Sequence, residues 1–340
     1  MTAKADNILT IIAHVLVPGR RKWAVDQLKD RGLIDDFSAK AMSLALSDPK
    51  YNYRNTGVRL SETKLFLDEM VEKHEYCFFN PARTMSHLRR RLAAFPQASG
   101  RIPGGQIVDY GCGTLSSFNQ AIILCANGAR HVHAVEPGAI RWKMARHAAM
   151  ETVKAVFTRP ADFRITGLSD EAMRANIARI DFGALYGGAG NIVDLGPITL
   201  RQWLSEISGA KADLILSTSV LEHVSDLVGE MKKQAEILTD GGIAIHAVDF
   251  TDHRHAHPEY ELFKFYYDGR MLDCNGLRLS EMADVISGAG LSCHIMEKAN
   301  VALSEIRRGE LMERFAGKSD DDLTTKSATF LLSRPDAIHE

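Results

Sequence analysis

The stretch Ile107-Val108-Asp109-Tyr110-Gly111-Cys112-Gly113-Thr114 constrains this chain more than any other. An apolar run ending in a carboxylate and followed by two alternate glycines predicts a buried parallel strand that delivers a tight turn. Glycine has no Cβ, so the turn can take backbone angles closed to other residues and bring main-chain atoms close to a ligand. Ser116 or Ser117 then opens an apolar helix, 118–126, whose free N–H groups and dipole favour a carboxylate or phosphate; Asn127-Gly128 ends it. His133-Ala134-Val135-Glu136-Pro137-Gly138 predicts a second strand stopping at Glu136, where a carboxylate can accept hydrogen bonds from both hydroxyls of a ribose. Together they describe a nucleotide-type site.

Asp109 chooses between the two ligands that suit such a half-site. A fixed negative charge two residues before the first glycine repels a pyrophosphate and attracts the ammonium of a methionine moiety. S-adenosylmethionine therefore fits better than NAD. Here the chain resembles the class I S-adenosylmethionine-dependent methyltransferases, whose first motif is an acidic residue, one residue, then G-x-G-x-G; the third glycine is Leu115 in this chain. The resemblance implies a Rossmann-like, mostly parallel seven-stranded α/β sheet with helices on both faces. It also places Asp109, Gly111, Cys112, Gly113, Glu136 and Pro137 around the cofactor.

At 340 residues the chain suggests a core domain with a sizeable extension. Its 45% hydrophobic and 25% charged residues describe an ordinary soluble protein, and a net charge of -2 leaves no electrostatic footprint for a polyanion. Nucleic acid is not expected as a partner. The five cysteines show no C-x-x-C, which points to a reducing, cytoplasmic setting without a disulfide framework or zinc knuckle. The longest apolar run near the start, 8–17, is too short to span a bilayer and predicts a buried or subunit-facing helix.

Residues 1–100 predict a helical cap, a lid or a subunit contact, with a homodimer through these helices as one outcome. Within it, 87–91 predicts a short basic helix with a solvated face, and 99–105 a linker. From 101 to 340 strands alternate with helices, which implies βαβ units and a parallel sheet. The third strand is either 163–166 or 191–194, with an insertion near 165–190 that includes a loop over 181–190. Asp170 or Asp194 then meets the adenine amino group, with Asp194 preferred. Residues 212–217 predict the fourth strand, followed by Val220-Leu221-Glu222-His223-Val224, and 243–250 the fifth. That "VLEHV" run, the aromatic segment 263–267 and Asn275-Gly276-Leu277-Arg278-Leu279-Ser280-Glu281 resemble the small-molecule branch of the family, bacterial enzymes acting on sugars and related metabolites. In that family the residues just after the fourth strand lie beside the sulfonium and the incoming substrate, and Ser217 and Thr218 are the cofactor contacts the resemblance implies here. Ser280 is expected to cap the helix that follows, and 291–297 and 327–333 predict the last strands.

An activated methyl group asks the enzyme chiefly for alignment and exclusion of water, with a base where the acceptor is a weakly acidic hydroxyl. The polar cluster after the fifth strand offers His253 as that base, Asp252 as its orienter and His223 as a competitor. His253, His255 and His257 alternate along the chain and would share a face if extended, yet no further ligand is fixed by sequence and no metal is assigned. The leading expectation is O-methylation of a sugar or similar metabolite. The alternatives are a nucleic-acid or protein methyltransferase using the cap to bind its substrate, a nicotinamide-dependent oxidoreductase, and a cofactor-binding scaffold.

Overall fold

The computed structural model describes residues 25–26, 81–114, 116–187, 192–207, 209–252, 261–270 and 274–335. By contact the chain divides into two compact units, 1–78 with 254–261 and 79–253 with 262–340. The sheet belongs to the second. The expected helices before residue 81, and the dimer contact assigned to them, lie outside the described residues apart from Val25 and Asp26.

The strands are β1 (Gln106–Tyr110), β2 (His131–Val135), β3 (Val193–Asp194), β4 (Ile198–Arg201), β5 (Ala212–Thr218), β6 (Leu238–Asp249), β7 (Ser292–Asn300) and β8 (Thr325–Ser333). They form one eight-stranded sheet in the order β3-β4-β2-β1-β5-β6-β8-β7, rather than the seven strands expected. From β4 to β6 neighbouring strands are parallel, whereas β3, β8 and β7 join antiparallel. The strand order reverses between β1 and β5, so their carboxyl ends open a crevice there.

The helices used below are α1 (Pro81–Ala94), α2 (Asn119–Ala126), α3 (Trp142–Thr158), α4 (Asp170–Ile177), α5 (Leu227–Ile237) and α6 (Leu279–Gly288). Side chains alternate along each strand, and the two sheet faces accordingly carry two cores. Ile107, Leu214, Leu216 and Ile245 pack with Met85, Leu88 and Leu92 of α1, with all of α2, and with Met173 and Ile177 of α4. Val108, Tyr110, Ile215, Ala244 and Val248 pack on the other face with Leu227 and Met231 of α5 and Met282 and Ile286 of α6.

The third parallel strand departs from expectation. Residues 160–163 form a short 3-10 helix, and Val193-Asp194 is an antiparallel hairpin arm. The strand that pairs with β2 is Ile198–Arg201. The insertion is partly helical as well, with α4 and a short helix Phe182–Gly187 in place of a plain loop. Ser280 does not cap α6; its N–H and hydroxyl both donate to Asp322, while Glu281 accepts the Arg278 N–H at 2.9 Å. Among the described residues no helix is long and apolar enough to cross a membrane.

Candidate active site

The glycine turn is tied to the end of β2. Gly111 and Cys112 donate their N–H groups to Val135 O at 2.8 and 3.1 Å, and Gly113 N–H donates to Glu136 Oε2 at 2.8 Å. Glu136 Oε1 accepts the Gly138 N–H, also at 2.8 Å. The carboxylate expected to hold a ribose therefore first organises two turns, and each oxygen keeps a further lone pair for a hydroxyl. Pro137 is exposed beside it, and its carbonyl faces the Gln202 amide at 3.5 Å.

Asp109 points to the face that α1 and α2 cover. Its Oδ1 accepts a 2.6 Å hydrogen bond from Gln120 Nε2, and Gln120 Oε1 in turn accepts from Arg91 Nη2. All three side chains are buried. Burial raises the Asp109 pKa from the ordinary carboxylate range to about 7, against the attraction of Arg91. Asp109 Oδ2 has no protein partner.

Asp109 also lines a cleft of about 300 Å³ at the carboxyl ends of β1 and β5. Asp109, Gly111, Cys112, Asn119, Gln120, Thr218 and Ser219 line it from the sheet side, and α1 contributes Arg83, Thr84, His87 and Arg91. Three further buried atoms on the lining residues lack protein partners: Asn119 Nδ2, Asn119 Oδ1 and Thr218 Oγ1. A buried polar atom without a partner is costly, so a carboxylate oxygen, an amide and a hydroxyl left without protein partners on the residues of one cleft fit a ligand that donates and accepts at once. The ammonium and carboxylate of an amino acid meet that requirement, and the methionine end of S-adenosylmethionine fits these residues.

Strand alternation separates the two residues expected to contact the cofactor. Thr218 shares the Asp109 face and lines the cleft. Ser217 turns to the opposite face, where its hydroxyl meets His246 Nδ1 at 2.6 Å, and His246 Nε2 meets Gln234 Oε1 at 2.8 Å. Ser217 is thus committed to a buried relay, in which burial lowers the His246 pKa to about 3. Asp194 is also removed from the expected place. It lies in the antiparallel arm opposite Thr199, near the amino end of β4, and its Oδ1 accepts from Gly196 N–H at 2.8 Å. Asp170 pairs with Arg164 instead. The strand end that reaches Glu136 is Arg201-Gln202: Arg201 O accepts the Glu136 N–H at 2.9 Å.

After β5 the chain makes a sharp turn. Ser219 has φ +52°, the only left-handed non-glycine among the described residues, and a 3-10 turn over Leu221–His223 follows. Glu222 is buried, with one oxygen accepting the Asp249 N–H at 3.3 Å and Oε2 bare. Burial raises its pKa to about 8, while the neighbouring Ser219 hydroxyl favours the charged form. His223 is exposed. Asp252 is buried and accepts the Phe265 N–H at 2.9 Å, which anchors the chain after β6. His253, His255 and His257 lie outside the described residues; among the described residues no cluster of His, Cys, Asp or Glu is fit to hold a metal ion.

Sequence reasoning missed Arg91, Asn119, Gln120, Ser219 and Glu222 as lining or bracing groups. The available signals were the spacing of Arg83, His87 and Arg91 along one helix, and a polar pair, Asn119-Gln120, at the head of an apolar run.

Comparison with known proteins agrees with the geometry. Three solved structures resemble the chain in part. Magnesium protoporphyrin IX methyltransferase from Synechocystis, with bound SAH, is 14% identical and matches over 87% of this chain and 99% of its own, with a TM-score of 0.38. An S-adenosylmethionine-dependent methyltransferase from Mesorhizobium loti is 15% identical over 71% and 98%, with a TM-score of 0.37. Another from Clostridium acetobutylicum is 13% identical over 72% and 91%, with a TM-score of 0.38. Scores and identities this low carry no argument of their own. A search of curated proteins finds no match. The weight rests on the family model described as a methyltransferase domain, which matches residues 79–295 and so spans the glycine turn, the cleft and the turn after β5. The chain belongs to this methyltransferase family.

Proposed function

We propose that the chain methylates a small molecule, at an oxygen of a sugar or a related metabolite. The observation that carries the reading is the cleft itself: Asp109, Asn119 and Thr218, each with a buried polar atom that has no protein partner, line one space of about 300 Å³ at the strand-order reversal. The near-neutral charge of the chain, -2, supports a small acceptor over a polyanion.

Bound there, S-adenosylmethionine supplies a methyl group already activated on a sulfonium. Asp109 and Asn119 would hold the ammonium, Asn119 and Thr218 the carboxylate, and Glu136 the ribose hydroxyls. Gln202, at the end of β4, is the neighbour of Pro137 on the adenine side. Ser219, which lines the cleft after β5, would lie on the sulfonium side. His253 remains the first candidate for taking a proton from a hydroxyl acceptor, with Asp252, its neighbour in the chain, as orienter and His223, after β5, as the competing base. The expected setting is cytoplasmic.

Calorimetric titration with S-adenosylhomocysteine and with NADH tests the cofactor; binding of NADH alone would reject it. Incubating a small-metabolite extract with methyl-deuterated S-adenosylmethionine should add one labelled methyl to a metabolite. Label appearing only in the RNA, DNA or protein fraction would overturn the acceptor class.

A further inference from the structure

Arg91 is an expensive residue to have where it is. It is only 5% exposed, on the inward side of a helix whose neighbours Arg89 and Arg90 stay in water. Burying a guanidinium costs several kcal/mol unless its surroundings compensate, and a leucine would satisfy the packing between α1 and α2 equally well. A direct, two-pronged Arg–carboxylate pair would occupy both Asp109 oxygens. Gln120 stands between the two instead, accepting from Arg91 and donating to Asp109 Oδ1. This spacing leaves Oδ2 bare while keeping a positive charge nearby.

We propose that Arg91 is a positioning residue for the amino-acid end of the cofactor: through Gln120 it aims Asp109 Oδ2 into the cleft, and its charge keeps that carboxylate available to an ammonium group. The inference rests on the S-adenosylmethionine reading above. The charged and titratable groups around Asp109 are Arg91 on α1, Glu136 at the end of β2 and Cys112 in the turn, with Arg83 and His87 along the same cleft. Burial and Glu136 push the Asp109 pKa up, and Arg91 and Gln120 hold it at about 7. When an ammonium group arrives, a protonated Asp109 gives its proton to solvent and the ion pair forms.

S-adenosylhomocysteine, which carries the same amino-acid end, is the probe, titrated by calorimetry between pH 6 and 8.5 in buffers of different ionisation heat. Wild-type affinity should fall as pH drops through about 7, with proton release on binding below that pH. Arg91→Met should move this midpoint up by about one unit and weaken binding about fivefold at pH 7, the gap widening towards tenfold at lower pH and closing as pH rises. Gln120→Leu should shift the midpoint in the same direction, and Arg91→Lys should restore most of it. Adenosine, which lacks the ammonium, should bind wild type and Arg91→Met alike, and this shows that the pocket is intact. An unchanged midpoint in both Arg91→Met and Gln120→Leu overturns the proposal, as does an equal loss for adenosine and S-adenosylhomocysteine at every pH. Failure of wild type to bind S-adenosylhomocysteine is a different result: it removes the cofactor reading and this inference with it.

Discussion

Val220 occupies the space where a side chain on Gly111 would begin: a Cβ built there would lie 2.2 Å from Val220 Cγ2, on a residue with φ +71°. The turns after β1 and β5 are therefore interlocked, and each limits where the other can go. Gly111→Ala should cost about 1–2 kcal/mol for the left-handed backbone and about 1–3 kcal/mol for overpacking. Thermal unfolding should show the loss, and S-adenosylhomocysteine titration should show weaker binding. Val220→Ala placed in the same chain should recover part of the packing cost and none of the backbone cost. Full recovery would mean that the glycine's backbone angle is unimportant.

Ser219 stands in the same seam with φ +52°. A left-handed angle in a non-glycine residue stores roughly 1–3 kcal/mol and persists only where its surroundings enforce it. Ser219→Gly should therefore raise the stability by about 1 kcal/mol, read from chemical denaturation, whereas Ser219→Ala should not. If both variants are equally destabilised, the hydroxyl beside Glu222 contributes more to folding than the backbone angle costs.

How much of this was legible beforehand follows from the residues involved. β1 stands out because an uninterrupted apolar run meets Gly111 and Gly113, and the family resemblance is carried by those residues with Asp109 and Glu136. β4 was hidden because Ile198-Thr199-Leu200-Arg201 is short, half polar and preceded by Gly196-Pro197, which reads as a break. Arg91 was hidden inside a run of basic residues, where only the rotation of α1 decides which one turns inward. For Ser217 and Thr218 the strand was right, but which of the two faces the cleft depends on register with β1, where Tyr110 opposes Ser217 and Asp109 opposes Leu216. The Asn275–Glu281 run proved structural in its clearest contacts: Asn275 donates to Leu221 O at 2.7 Å and Val224 O at 3.2 Å, bracing the turn that holds Glu222.

The Glu222 carboxyl gives stability an unusual pH dependence. Its folded pKa is raised from 4.5 to about 8, so the folded state holds a proton that the unfolded chain releases. For an acid shifted in this direction, the contribution is complete below pH 4.5 and is lost as pH rises towards 8. The ceiling is roughly 5 kcal/mol at about 1.4 kcal/mol per unit. Glu222→Gln removes the titration while keeping the shape. Measured by urea unfolding, the variant should gain on wild type steadily from pH 5 to 8. A difference that stays flat across that range would show that Glu222 is ionised in the folded protein.

Arg278 is fully buried, and its guanidinium is consumed by main-chain carbonyls. Nε and Nη2 donate to Asp322 O at 2.9 and 2.7 Å, Nη1 donates to Phe250 O at 2.8 Å, and Nη2 also reaches Thr325 O at 2.5 Å. The rings of Phe250, Phe263 and Tyr266 lie 5.2–5.3 Å from its central carbon. One side chain thus joins the end of β6, the start of β8 and the head of α6 around a single charge. Lysine brings the same charge but a compact ammonium, which cannot span carbonyls on both sides as a planar fork does. Arg278→Lys should therefore cost about 3 kcal/mol or more, close to the loss of a buried charge's partner. The expected sign is a large drop in the unfolding midpoint. Adenosine titrated into the surviving folded fraction should still bind with near wild-type affinity, because β1, β2 and α2 are not anchored by this residue. A Lys variant as stable as wild type would show that the charge alone, and not the fork, holds these segments together.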